Sequence, residues 1–169
     1  MNLQKETARQ AWSGTGDKET DSTWISIKER QGEVKFLGYE ISQTNSKVNS
    51  IVINNKEEKE VKVGEEAKVI TSASPFYGES GGQLGDIGNI KWENGKAYVF
   101  DTKKFENLII HFVKVIEGVL KVDDEVSMEI DLDRRNSLKI HHSATHLLHE
   151  SLRRNLGEHI SQKGSLVAP

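Results

Sequence analysis

A mainly β chain that ends in one long helix is the fold class the sequence predicts, and three observations carry that prediction. Between about residues 33 and 130, short runs of β-branched and aromatic residues alternate with turn signals and no helical stretch interrupts them. After Asp131 the apolar period changes from two to near 3.6 and holds until Gly157. The 169 residues, 35% apolar and 29% charged, suffice for one ordinary domain or two small ones with a modest core. A small closed or partly closed antiparallel barrel of six or seven strands, followed by the helix, satisfies all three.

In chain order, residues 2–12 lack Gly and Pro and read as a short polar helix. Residues 13–22, SGTGDKETDS, have the composition of a loop or linker. Strands are expected at 34–37, 47–53, 67–71, within 84–92, and at 96–103, 108–115 and 126–130. Asn54-Asn55 marks one turn, and Asn94-Gly95 marks a hairpin because both residues tolerate positive φ. Asp133 is the expected helix cap and Gly157 the stop, with Leu138, Leu148, Leu152 and Leu156 on one face. The organisation read from these signals is a helix and linker at 1–30, a barrel at 31–131, and a further segment at 132–169.

Charge and composition exclude several classes of function. With 23 basic against 26 acidic residues, the net charge of −3 argues against gripping nucleic acid by overall charge. Arg134, Arg135, Lys139, Arg153, Arg154 and Lys163 nevertheless give the C-terminal end a local basic character suited to phosphates, or simply to solvent. The absence of cysteine excludes disulfides and any thiolate ligand for zinc from these residues. The first residues lack the layout of a signal peptide, and no apolar run approaches the ~20 residues of a membrane span, so a cytoplasmic location is expected.

Three segments carry residues capable of chemistry. His142 and His146, four apart on the helix, project from one side, the spacing by which one helix offers two imidazoles to one metal ion. The bland counterpart is a half-buried histidine cluster without a ligand. The stretch 74–86, SPFYGESGGQLGD, has four glycines in eight residues from Gly78 to Gly85, which suits a turn or bulge, or close approach by a ligand or strand. It lacks the Lys-Ser/Thr of a phosphate-cradling loop, and Gly81-Gly82-Gln83 is similar to the tripeptide with which peptide-release factors act on peptidyl-tRNA. Last, 157–167, GEHISQKGSLV, is expected to return Gln162 alongside the histidine helix.

Read together, HSATHLLH at 142–149, LGEHISQKGSLV at 156–167 and PFYGESGGQLGD at 75–86 resemble the alanyl-tRNA synthetases and the free-standing alanyl-tRNA editing proteins. LKVDDEV at 120–126 is similar to a strand-turn of translation-factor barrels. The resemblance runs from about residue 65 to the end. It implies a translation-factor-like barrel followed by the helix and strand that begin an α+β editing domain. It also implies hydrolysis of tRNA(Ala) wrongly charged with serine or glycine, needed because a pocket that accepts alanine cannot strongly reject either. By the same resemblance His142 and His146 bind zinc with a downstream Cys-x-x-x-His, and Thr145 and Gln162 belong to the editing pocket. Gly81, Gly82, Gln83, Arg134, Arg135 and Lys163 are the expected contacts to the tRNA(Ala) acceptor end. ATP and magnesium belong to an aminoacylation domain outside these residues, and the other domains of that ligase are the expected partners. No Cys-x-x-x-His precedes Pro169, so the chain reads as a fragment with weak or no zinc binding and poor deacylation. Two other readings stay open: a non-catalytic barrel adaptor for RNA or protein, and a small hydrolase acting through the Gly81-Gly82-Gln83 loop.

Overall fold

The structure, a computed structural model, describes residues 18–169. The helix expected at 2–12 lies outside the described residues. Helix α1 (Lys18–Gln31) belongs to a first compact unit that ends at Gly32, and Glu33–Pro169 form a second. The linker reading of residues 18–22 is therefore corrected: they are the first turns of α1. No Gly or Pro interrupts Lys18–Gln31, and Trp24 and Ile27, one turn apart, are both buried, which stabilises a helix that local composition alone leaves marginal. The Gly32 N–H bonds to the Lys28 carbonyl at 2.8 Å and ends it.

The second unit holds eleven strands: β1 (Lys35–Phe36), β2 (Gln43–Ile53), β3 (Lys56–Glu58), β4 (Glu60–Lys62), β5 (Glu66–Thr71), β6 (Ala73–Ser74), β7 (Gly88–Trp92), β8 (Gly95–Phe105), β9 (Leu108–Glu117), β10 (Val119–Lys121) and β11 (Glu125–Ile130). Six of them, in the order β11-β7-β8-β9-β5-β2, form one antiparallel sheet that closes on itself because β11 also pairs with β2. Closure removes the free edges that an open sheet of this size would expose. Inward residues alternate with outward ones, and Ile51, Val69, Ile90, Val99, Val113 and Met128 fill the interior from all six strands. The register shifts on β2 between Val48 and Ser50 and on β8 between Val99 and Asp101, where bulges bend the long strands around the barrel.

The turns show why the strands stop where they do. Asn54 and Asn55 both have positive φ, 49° and 62°, between the paired Ile53 and Lys56, as the sequence predicts. At the Asn94-Gly95 hairpin the turn is present but its stated reason is not. Trp92 pairs with Gly95, Glu93 and Asn94 form the loop, and no positive φ occurs there. Gly95 is required for space, since a Cβ would press on the Trp92 ring and the Glu117 carbonyl.

After β11 comes helix α2 (Leu132–Leu156). Its N-cap is Asp131, whose carboxylate accepts the Arg134 N–H at 2.9 Å, and not Asp133, which lies in the first turn. Gly157 ends it as expected, with φ 113° and its N–H bonded to the Arg153 carbonyl. Of the predicted leucine stripe only Leu138 is buried, whereas Leu148, Leu152 and Leu156 remain exposed. No described helix is long and apolar enough to cross a membrane.

Candidate functional site

The glycine-rich segment between β6 and β7 folds into a tight hairpin laid flat on β8. Ser80 and Gln83 exchange backbone hydrogen bonds of 3.2 and 3.1 Å around Gly81 and Gly82, whose φ values of 61° and 83° are those of a turn that other residues enter only with strain. One arm bonds to the barrel through the Glu79 N–H and the Thr102 carbonyl at 2.8 Å. On the other arm Gly85 lies so close to Thr102 that a Cβ would overlap its carbonyl oxygen. The glycines therefore serve both the turn and close approach to a strand.

Two side-chain ties fasten this hairpin to α2. At its base the Asp86 carboxylate receives the Arg135 guanidinium through Nε, at 3.0 and 2.9 Å, and through Nη2. Arg135 Nη1 and Nη2 also donate to the carbonyls of Gly38 and Pro75 at 2.7 and 2.9 Å, and the Tyr77 N–H bonds to Asp86 at 2.7 Å. Nearer the tip, Gln83 Oε1 accepts from His142 Nδ1 at 2.7 Å. The two ties match in length. Arg135 and His142 are seven residues apart, about 10.5 Å of helix, and Gln83 and Asp86 are three apart, about 10 Å of extended chain. Leu138, between them on the same side, is fully buried.

Here His142 and His146 meet. Their Nε2 atoms are 2.9 Å apart and their ring centroids 4.8 Å, with 34° between the planes. Each about 2.05 Å from a common ion, two nitrogens 2.9 Å apart subtend about 90° at it, and roughly 0.4 Å more separation would give the tetrahedral angle. The donors fit half of a zinc sphere. Among the described residues no group of three His, Asp or Glu side chains could hold a metal ion. His149, half-buried further along α2, has its Nε2 buried without a hydrogen-bond partner.

The remaining expected site residues divide. Thr145 is half-buried and its hydroxyl donates to the His141 carbonyl at 2.9 Å. The chain does return after Gly157: Val167 bonds with Gly82 and Leu84 at 2.7 and 3.2 Å, and His141 Nδ1 meets the Ala168 carbonyl at 2.6 Å. Gln162 itself is exposed, and no hydrogen bond among the described residues joins it to either histidine. Lys163 and Gly81 are exposed, Gly82 and Arg134 half-buried. Two of the expected contacts are engaged internally. Arg135, only 5% exposed, gives its guanidinium to Asp86 and two carbonyls and so clamps α2 to the hairpin. Gln83, 7% exposed, presents its amide oxygen to His142.

Sequence reasoning missed the partnership of Gln83 with His142. Its only trace was a shared periodicity, since Arg135, Leu138, His142 and His146 fall on one helical face. The hairpin also borders a cleft of about 260 Å³ lined in part by Phe36, Tyr39, Tyr77 and Lys104.

Residues 1–134 match the family described as tRNA synthetases class II (A). The chain belongs to this family. Among its relatives, the alanine–tRNA ligases of Rhizobium johnstonii, Chelativorans sp. and Cereibacter sphaeroides are 45%, 44% and 42% identical to it. Each match covers the whole of this chain, which spans about 19% of the length of those relatives. The chain thus corresponds to a segment of an alanyl-tRNA synthetase. The family match stops at Arg134, whereas the matches to the ligases run the whole length of this chain, α2 included.

Proposed function

We propose that this segment serves an alanine–tRNA ligase as the barrel and leading helix of a module that hydrolyses Ser-tRNA(Ala) and Gly-tRNA(Ala). The observation that carries the reading is the convergence of the His142 and His146 Nε2 atoms to 2.9 Å beside the glycine hairpin. His142 and His146 would hold a zinc ion, with further donors supplied from outside these residues. When bound there, zinc supplies a Lewis acid for an ester carbonyl or a water.

In this reading Thr145, one residue before His146, and Gln162 line the pocket that selects the wrong amino acid. Gly81, Gly82, Arg134 and Lys163 lie on the side that the tRNA(Ala) acceptor end approaches. Attachment of alanine to tRNA(Ala) with ATP and magnesium belongs to the rest of the ligase, in the cytoplasm. A non-catalytic adaptor would leave the paired imidazoles without a use.

The test is hydrolysis of Ser-tRNA(Ala) by a longer chain that continues into the downstream Cys-x-x-x-His that the resemblance implies. Loss of hydrolysis in both His142→Ala and His146→Ala is expected, with little activity from the 169 residues alone. Undiminished hydrolysis in either variant, or a stoichiometric, tightly held zinc on the 169-residue chain, would contradict the reading.

A further inference from the structure

We infer that Gln83 is a positioning residue for His142: its Oε1 fixes the imidazole with the proton on Nδ1, so that the Nε2 lone pair faces His146. A carbonyl-type oxygen only accepts, so the 2.7 Å contact requires His142 Nδ1 to be the donor. The unprotonated Nε2 then lies 2.9 Å from His146 Nε2, which supplies the proton between them. A histidine offered to a metal needs this arrangement, with one nitrogen donating to a fixed acceptor and the other bare.

The acceptor is fixed unusually well. The Gln83 N–H and carbonyl are both engaged by Ser80 across the turn, Val167 flanks it as a parallel neighbour, and the residue is buried. The amide therefore reaches His142 from a residue whose backbone is hydrogen-bonded on both sides of the turn and shielded from solvent. The Arg135–Asp86 clamp, seven residues earlier on α2, holds the helix in the register that brings His142 to it. The glycine hairpin is thereby coupled to the imidazole pair across 59 residues of sequence.

The inference concerns the ring itself, but its use for metal rests on the proposed reading of His142 and His146. The experiment separates the two. Histidine ring ¹⁵N spectra of the 169-residue chain, recorded near pH 8, report which nitrogen of His142 carries the proton. Competition with a zinc indicator, on the longer chain that carries the downstream donors, then reports affinity. In the wild type the proton is expected on Nδ1. In Gln83→Leu it should redistribute towards Nε2, while Gln83→Glu, which keeps an acceptor, should preserve it. Zinc affinity should fall about 10- to 100-fold in Gln83→Leu and be retained in Gln83→Glu. A wild-type His142 protonated on Nε2, or a Gln83→Leu spectrum unchanged at that ring, overturns the positioning role. A tautomer change in the 169-residue chain without zinc uptake by the longer chain upholds the positioning and removes the metal reading.

Discussion

Acidification should unfold this protein through one residue far from the histidine pair. His111 on β9 is fully buried, with Nδ1 donating to the Val69 carbonyl at 2.9 Å and Nε2 accepting from the Ser74 hydroxyl at 2.8 Å. The Phe76 ring meets it edge-on at 5.3 Å. Burial disfavours the charged imidazolium more than the Val69 carbonyl favours it, and the pKa falls from 6.5 to about 4. A base with a depressed folded pKa stays neutral while the unfolded chain takes up a proton. Its contribution is thus fully present above pH 6.5 and is lost as the pH falls towards 4. At about 1.4 kcal/mol per pH unit the loss is about 2 kcal/mol by pH 5 and approaches about 3 kcal/mol below pH 4. Urea unfolding at pH 7, 6, 5 and 4, with His111→Gln as the non-titrating reference, isolates this component from the carboxylates. The wild type should lose about 2 kcal/mol more than the variant between pH 7 and 5. A His111 ring that titrates near 6.5 by NMR in the folded wild type would refute the reasoning, whatever the variant does.

Two further outcomes follow from the attachment of α2. Asp86→Ala leaves the Arg135 charge buried without its carboxylate and should cost about 3–5 kcal/mol, with amide exchange accelerated first in the opening turns of α2. Asp131→Ala removes the exposed cap on the Arg134 N–H and should lower stability by about 1 kcal/mol, read as a lower urea midpoint at unchanged slope.

The barrel was legible because its signals are local: turn residues at Asn54-Asn55, alternating apolar positions, and the switch of period at α2. Closure of the sheet by β2 with β11 follows the same alternation, since both strands carry one apolar face. Features set by tertiary partners were less visible. Residues 18–22 look like linker until the burial of Trp24 and Ile27 gives α1 a reason to form. Strands β3, β4, β6 and β10 are two or three residues long, below the length at which a period of two can be seen. The candidate site divides in the same way. The spacing of His142 and His146 on one helix is a property of sequence, and the rings do converge. From sequence Arg135 looks like a surface cation, because nothing in its neighbourhood along the chain announces Asp86, 49 residues away. The contact of Gln83 with His142, 59 residues away, is hidden from the sequence for the same reason.

The paired ties between hairpin and α2 behave as a vernier. Shifting the helix by a single residue swings every later side chain through about 100° and moves it about 1.5 Å along the axis. One residue inserted between Arg135 and His142 would thus leave the guanidinium seated while turning the first imidazole off its amide. A deletion there would do the same in the opposite sense. Sequence drift in this interval is constrained in length before it is constrained in chemistry, so the seven-residue step from Arg135 to His142 should tolerate substitution at Asn136 or Lys139 far better than any change of count.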